Sequence, residues 1–199
     1  MRIAVSPLFI FPPIAWWASI AGYEEVRLDV TEPFQKMTYR NRYHIATANG
    51  PLLLSVPLAG GRLQRIPMQK VQIDERQNWQ KQHWRSLFSA YGRAPFFEHY
   101  GPSLEALLHQ RYEHLAALNK AAIEWIKKEL RLPQQFILIS EAAEVSAPIK
   151  DLKAVAWDSL PVTHYTQVFE ERTGFLPHLS ILDMIMNEGP AAVGYMTAL

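Results

Sequence analysis

The spacing of apolar and polar positions changes period several times along the chain, and each change predicts an element. Ile3 to Ile10 is an apolar run broken by Pro7, too short to span a membrane, and it predicts a buried strand. Pro12-Pro13 turns it into a helix with Pro13 near the first turn, where a missing N–H costs little. From Glu25 to Thr31 the period is two, with Val26, Leu28 and Val30 opposite Arg27 and Asp29, which predicts a strand. The segment KMTYRNRYHIATANGPLLLSVPL predicts a hairpin, because Asn49-Gly50 supplies positive-φ residues between two strand-like runs. Ile66 to Ile73 predicts one more strand.

Helical spacing takes over at Asn78. At about 100° per residue, Gln80, Trp84, Leu87, Phe88 and Tyr91 form one stripe, read as the core face, and Ala94-Pro95 ends the helix. Trp79, His83, Ser86 and Ala90 form a flanking stripe, so His83 is expected at the border of core and solvent. Ser103 is placed as the cap of a second helix whose apolar positions run from Leu107 through Leu118 and Trp125 to Leu130, ending before Pro133. Gln135 to Ser140 predicts a short buried strand, while Glu141 to Asp158 has no period and receives no element. Near the end, Ser180 caps a helix with Ile181, Leu182, Ile185 and Met186 facing the core, and Gly189-Pro190 stops it. Asp183 is the odd carboxylate of that helix. The elements together predict one α/β (or α+β) domain over residues 1–199, a mixed β-sheet flanked by helices.

Composition narrows the function. With 199 residues, 49% of them hydrophobic, the chain can bury a sizeable core. A formal charge of +1 supplies no global field toward nucleic acid or an anionic membrane, so an anion site must be a local cluster. The absence of cysteine removes disulfides, thiolate nucleophiles and cysteine zinc sites, and fits a cytoplasmic location. Arg2, the apolar run and Ser19-Ile20-Ala21 would also read as a secretory signal, but three prolines and a single Arg argue against one. The N-terminus is expected to be retained and buried. No membrane span is expected. A homodimer face is expected on the apolar helices Leu104 to Leu130 or Ile181 to Met186.

Candidate chemistry lies in two stretches. On a strand through residues 36–45, Lys36, Thr38, Arg40, Arg42 and His44 share one face, and three positive charges there need an anion or acidic side chains opposite. Glu25, Asp29 and Glu32 are the structural alternative to a bound anion. Tyr39 and Tyr43 would serve as stacking platforms in a nucleic-acid reading, which the near-neutral charge disfavours, so no nucleic-acid partner is expected. The second stretch is NWQKQHWRSLFSAYGRAPFFEHY, where His83 is the candidate general base. No nucleotide-binding glycine loop and no metal motif occurs, and no cofactor is expected. His178 and Asp183 have the H-x4-D spacing of glycerolipid acyltransferases, a two-residue pattern that arises by chance.

The phrases FPPIAWW, YRNRYHI, LLLSVPL, HWRSLFSAYGRAPFFEHY, LNK and LPHLSILDMIMNEGP resemble, in order and over nearly the whole chain, the successive blocks of the WbqC-like family. The resemblance implies a transferase of bacterial surface-polysaccharide biosynthesis, moving a glycyl or other amino-acyl group onto a phosphate-activated sugar. The alternative is a non-catalytic binding or assembly protein of the same pathway. Carried over by position, the matching polar residues are Arg40, Asn41, Arg42, His83, Ser86, Asn119 and Asp183. In this reading His83 and Asp183 are the catalytic pair, and Lys36, Arg40, Asn41, Arg42, Ser86 and Asn119 bind an anionic substrate, a nucleotide-sugar or an acyl donor. The late Ser-Gly-x-Gly-Gly stretch of longer family members is absent, its place taken by Glu141 to Asp158.

Overall fold

In a computed structural model, which describes residues 1–61, 64–141 and 149–197, the uncharged N-terminal run becomes β1 (Ile3–Pro7), buried at every residue, followed by α1 (Ile14–Ile20) with Pro13 as its N-cap. Such a strand is apolar but for Ser6, whose hydroxyl is hydrogen-bonded, because both its faces and both its edges are covered. β1 pairs in parallel with β2 (Glu25–Asp29) on one side, Ala4 opposite Val26 and Ser6 opposite Leu28. Next come the hairpin β3 (Arg42–Thr47) and β4 (Gly50–Ser55), then α2 (Trp79–Tyr91), α3 (Phe97–His109), α4 (Leu115–Glu129) and β5 (Gln135–Ile139). β5 pairs with the outer edge of β2. β6 (Ile149–Asp151) then returns across the sheet to the free edge of β1, giving the all-parallel order β5-β2-β1-β6. The chain closes with α5 (Glu170–Thr173), α6 (Ile181–Glu188) and α7 (Ala192–Thr197).

The fold is thus α/β, with parallel pairings in the four-stranded sheet and an antiparallel ladder in the hairpin. β6 lies in the stretch to which the sequence assigned no element, and residues 142–148 of that stretch fall outside the described residues. Three residues of edge strand carry too little periodicity to be seen; pairing with Ile3, Ala4 and Val5 defines them. The strand expected over Ile66 to Ile73 is instead one 3-10 turn, Met68–Lys70, flanked by isolated bridges, because Pro67 has no N–H to give a ladder.

The hairpin forms where Asn49-Gly50 placed it, with Thr47 opposite Gly50. Only Gly50 takes a positive φ, 100°, while Asn49 does not, so the glycine alone relieves the turn. α2 ends as expected, but its buried face straddles the two stripes: Trp79, His83 and Ala90 of the flanking one and Leu87 and Tyr91 of the expected core one are inside, while Phe88 is 58% exposed. Trp84 and Phe88 pack instead on Phe97 of α3, at centroid distances of 5.8 and 5.6 Å, and that aromatic cluster made these two positions look like core. The helix expected from Ser103 to Leu130 is two helices. α3 starts six residues earlier, and the Ser103 hydroxyl lies inside it, donating to Tyr100 O (3.1 Å) and accepting from Trp125 Nε1 (3.0 Å).

α6 matches its sequence reading. Ser180 Oγ accepts from Leu182 N at 3.2 Å, and Ile181, Leu182, Ile185 and Met186 are wholly buried in the chain's own core, so this helix keeps no apolar face for a second copy. The same holds for Leu104, Leu108, Leu118 and Ile126 of α3 and α4.

Gly189, which ends α6 at φ 56° and ψ −129°, would place a Cβ 2.5 Å from the Phe96 ring. Gly189→Ala is expected to destabilise the protein by about 2–4 kcal/mol, from backbone strain plus overpacking. Urea denaturation checks it, and a midpoint shift equivalent to less than about 0.5 kcal/mol would show that Phe96 yields freely.

Candidate functional site at the carboxyl edge of the parallel sheet

The order β5-β2-β1-β6 puts a reversal of winding between β1 and β6, and in open parallel sheets the crevice beyond the carboxyl ends of the strands at such a point is where ligands bind. Here that edge carries alternating charges. Asp29, the last residue of β2, accepts from Thr31 N (2.8 Å), Thr31 Oγ1 (2.7 Å) and Lys153 Nζ (2.5 Å), the lysine lying just past β6. Lys153 also faces Glu32 Oε1 at 3.4 Å, and Glu32 Oε2 accepts from Arg40 Nη2 at 3.0 Å. Burial raises the Asp29 pKa, but the bonds from Lys153 and Thr31 outweigh it and hold the carboxyl below its ordinary value. The network is balanced, two acids against two bases, and it ties the end of β6 to β2.

Beyond it lies the outer face of the hairpin. Tyr43 and Ile45 point into the core, and Arg42 and His44 point out, two residues or about 6.5–7 Å apart along the strand. Arg42 lines a hollow of about 400 Å³ together with Lys36, Asn41, Ser55 and Gln77. No carboxylate lines it, and neither Lys36 nor Arg42 makes an ion pair among the described residues. His44 lines a second hollow, of about 210 Å³, with Asp158, His178 and the apolar Pro51, Leu176 and Leu179. His178 Nδ1 is buried there without a hydrogen-bond partner. Burial pushes the His44 pKa down, opposed by Asp158 and reinforced by Arg42, so the ring is neutral at pH 7 and free to accept a proton. At the second hollow the Tyr39 hydroxyl donates to Asp158 Oδ1, and burial with the neighbouring carboxylate pushes its pKa up, which keeps the donor protonated.

The residues picked from sequence are only partly brought together. Lys36, Asn41 and Arg42 share the first hollow. Arg40 does not join them: the run before Arg42 is turns, with Met37 at φ 61°, so the expected strand face starts only at Arg42. The Arg40 guanidinium is 3% exposed, turned to Glu32 and set 6.0 Å over the Phe9 ring. Ser86 is half-buried on α2 and lines neither hollow. Asn119, wholly buried on α4, donates Nδ2 to Arg40 O (2.7 Å) and Leu8 O (3.4 Å), pinning the loops that carry the charge network.

His83 is 2% exposed, not at a border. Its Nε2 lies 3.2 Å from Ser55 O, which can only accept, so Nε2 carries the proton and Nδ1 accepts from the Tyr43 hydroxyl at 3.1 Å. Burial lowers its pKa to about 4. Both nitrogens are engaged, and the ring fastens α2 to the inner side of the hairpin. Asp183 is also fully buried, accepting from the Tyr165 hydroxyl at 2.6 Å with Oδ1 unpartnered, and burial raises its pKa to about 6. His178 lines the second hollow without Asp183, so the H-x4-D spacing makes no pair. Asp158 and His178 are the residues the sequence did not offer: one ends an aperiodic stretch, and the other is marked only by a pattern that misleads.

These features define an α/β protein with a polar surface at the carboxyl edge of a parallel sheet. The WbqC-like protein family matches residues 9–156, and the chain belongs to that family. The match takes in the charge network and the cationic hollow and stops short of Asp158 and His178. No curated protein and no solved structure matches the chain. Among the described residues no helix is long and apolar enough to cross a membrane, and no three His, Cys, Asp or Glu side chains group to hold a metal ion.

Proposed function

We propose that the protein is a transferase of surface-polysaccharide biosynthesis acting on a phosphate-bearing small molecule such as a nucleotide-linked sugar, in one domain and in the cytoplasm. The observation that supports it is the shared outer face of β3, where the acid-free hollow of Lys36 and Arg42 adjoins the hollow of His44, Asp158 and His178. Lys36 and Arg42 hold the phosphate oxygens, with Asn41 and Ser55 in the same lining. His44, neutral at pH 7, takes the proton from an acceptor hydroxyl or amine as its oxygen or nitrogen attacks the donor's electrophilic carbon. The bond from that carbon to the donor's leaving group breaks and the leaving group departs with that electron pair, while Lys36 and Arg42 keep hold of the acceptor sugar's phosphate. The resemblance suggests a glycyl or other amino-acyl group as the unit moved.

Arg42→Ala is expected to weaken binding of a nucleotide-linked sugar, or of pyrophosphate as the simplest probe, by about 1.5–3 kcal/mol in titration calorimetry. If neither probe binds the parent protein, or both bind Arg42→Ala equally well, the anion reading is wrong. The second reading, a non-catalytic binding protein, is favoured by the Tyr39 hydroxyl already bonded to Asp158. His44→Gln separates the two: it leaves pyrophosphate binding intact in both, and removes turnover only in the transferase.

A further inference from the structure

The hollow of Lys36 and Arg42 is larger and less polar than a phosphate alone requires. At about 400 Å³ it falls in the size range of small-molecule sites, ~300–1,000 Å³, and phosphate oxygens at the two cations fill only a part of it. Phe34, Val56 and Leu58 give it a buried apolar lining continuous with the core, while Met37 and Leu53 stand at its mouth, 69% and 40% exposed. A single exposed apolar side chain is ordinary. Here the exposed ones join the buried ones into one surface beside two cations, which marks a binding site. Met37 carries a second sign. Its φ of 61° lies in the left-handed region, where Gly or Asn sits with less strain, and the strained backbone presents an apolar side chain to water with little burial in return.

A ligand that matches this lining has a phosphate at one end and an aliphatic body next to it. A nucleoside matches it less well, because a base is held by stacking on an aromatic face. Among the described residues of the lining Phe34 alone is aromatic, and it is 5% exposed; Tyr43 faces the core and the Tyr39 hydroxyl is bonded to Asp158. Flexible Met and Leu side chains adapt instead to a chain. We propose that the phosphate bound here belongs to an amphiphile, a phosphate or sugar phosphate borne on an aliphatic chain, with Lys36 and Arg42 on the head and Met37, Leu53 and Phe34 along the first carbons. This inference rests on the reading of Lys36 and Arg42 as a phosphate site, and it narrows the substrate class from any phosphate-bearing molecule to a lipid phosphate.

The test titrates methyl, butyl and octyl phosphate, each below its micelle concentration, into the protein by calorimetry, beside uridine monophosphate and pyrophosphate. A fully buried methylene tightens binding about fourfold, and a chain left partly in water by less, so octyl phosphate is expected to bind about tenfold or more tighter than methyl phosphate. Met37→Asn, which suits the left-handed backbone, and Leu53→Thr, which suits a strand, should flatten that rise, most of all together, while methyl phosphate binds as before. Arg42→Ala should weaken every member of the series by a similar factor. The inference is overturned if octyl phosphate binds no tighter than methyl phosphate, if the rise survives the double substitution and is therefore adventitious, or if uridine monophosphate binds tighter than octyl phosphate. In each of these cases pyrophosphate binding that Arg42→Ala removes leaves the phosphate reading standing. If no phosphate probe binds the parent protein, that reading fails and this inference fails with it.

Discussion

Between pH 6.5 and pH 4, His83→Gln should become more stable on acidification and Asp183→Asn less stable, each by about 3 kcal/mol across the window, while the parent protein changes far less. Burial raises the folded pKa of Asp183 from 3.8 to about 6, opposed first by the hydrogen bond from the Tyr165 hydroxyl. A raised carboxyl pKa means the folded state binds the proton first. Its stabilising contribution is full below pH 3.8 and is lost as pH rises through 6. His83 is the reverse case: burial lowers its pKa from 6.5 to about 4, with the Ser55 carbonyl opposing. Its contribution is full above pH 6.5 and is lost as pH falls through 4. Over the shared window the two slopes have opposite signs and similar size, so each conceals the other until one is removed.

Both substitutions keep the local bonds. Asn at 183 still accepts from the Tyr165 hydroxyl, and Gln at 83 can donate to Ser55 O while accepting from Tyr43. Denaturant unfolding at half-unit pH steps gives the slopes. If both variants track the parent's profile, His83 and Asp183 do not titrate in this window, and the buried assignments given to them are wrong.

Glu32→Gln is expected to destabilise the protein by about 3 kcal/mol and Arg40→Met by about 1 kcal/mol, an ordering opposite to side-chain size. The reason is unequal burial. The Arg40 side chain is 3% exposed and that of Glu32 24%. Burial already pushes the Arg40 pKa down, and Glu32 is the first group opposing it, followed by Asp29. Removing the Glu32 charge strands a buried guanidinium beside Gln35 Oε1 and Thr38 Oγ1, at 3.5 and 3.4 Å, which are long contacts for a charge. Removing Arg40 leaves Glu32 with water and Lys153 at 3.4 Å, and Met fills most of the vacated volume over Phe9. Calorimetric unfolding of the two variants decides it. Equal losses, or a larger loss for Arg40→Met, would mean that Glu32 does not neutralise Arg40 in the folded protein.

Sequence periodicity identified the elements whose signal is local. β1 and β2, the hairpin turn at Gly50, the cap of α6 by Ser180 and its stop at Gly189 follow from hydrophobic spacing, proline, glycine and a hydroxyl, each acting within a few residues of itself. The family blocks and the choice of Lys36, Asn41 and Arg42 as neighbours are legible for the same reason, since a short segment fixes their relative positions. Only the tertiary structure decided the rest. Which face of α2 is buried depended on Phe97 giving Trp84 and Phe88 a partner, and on Tyr43 and Ser55 receiving His83 inside. Arg40 left the basic row because Met37 turns the backbone and Glu32, eight residues away, receives its charge. β6 is too short to have a period of its own and exists by pairing with β1. The hollow of His44, Asp158 and His178 joins residues more than a hundred positions apart, and their identities, an aperiodic aspartate and two ordinary histidines, acquire chemistry only when the sheet and α6 bring them to one wall.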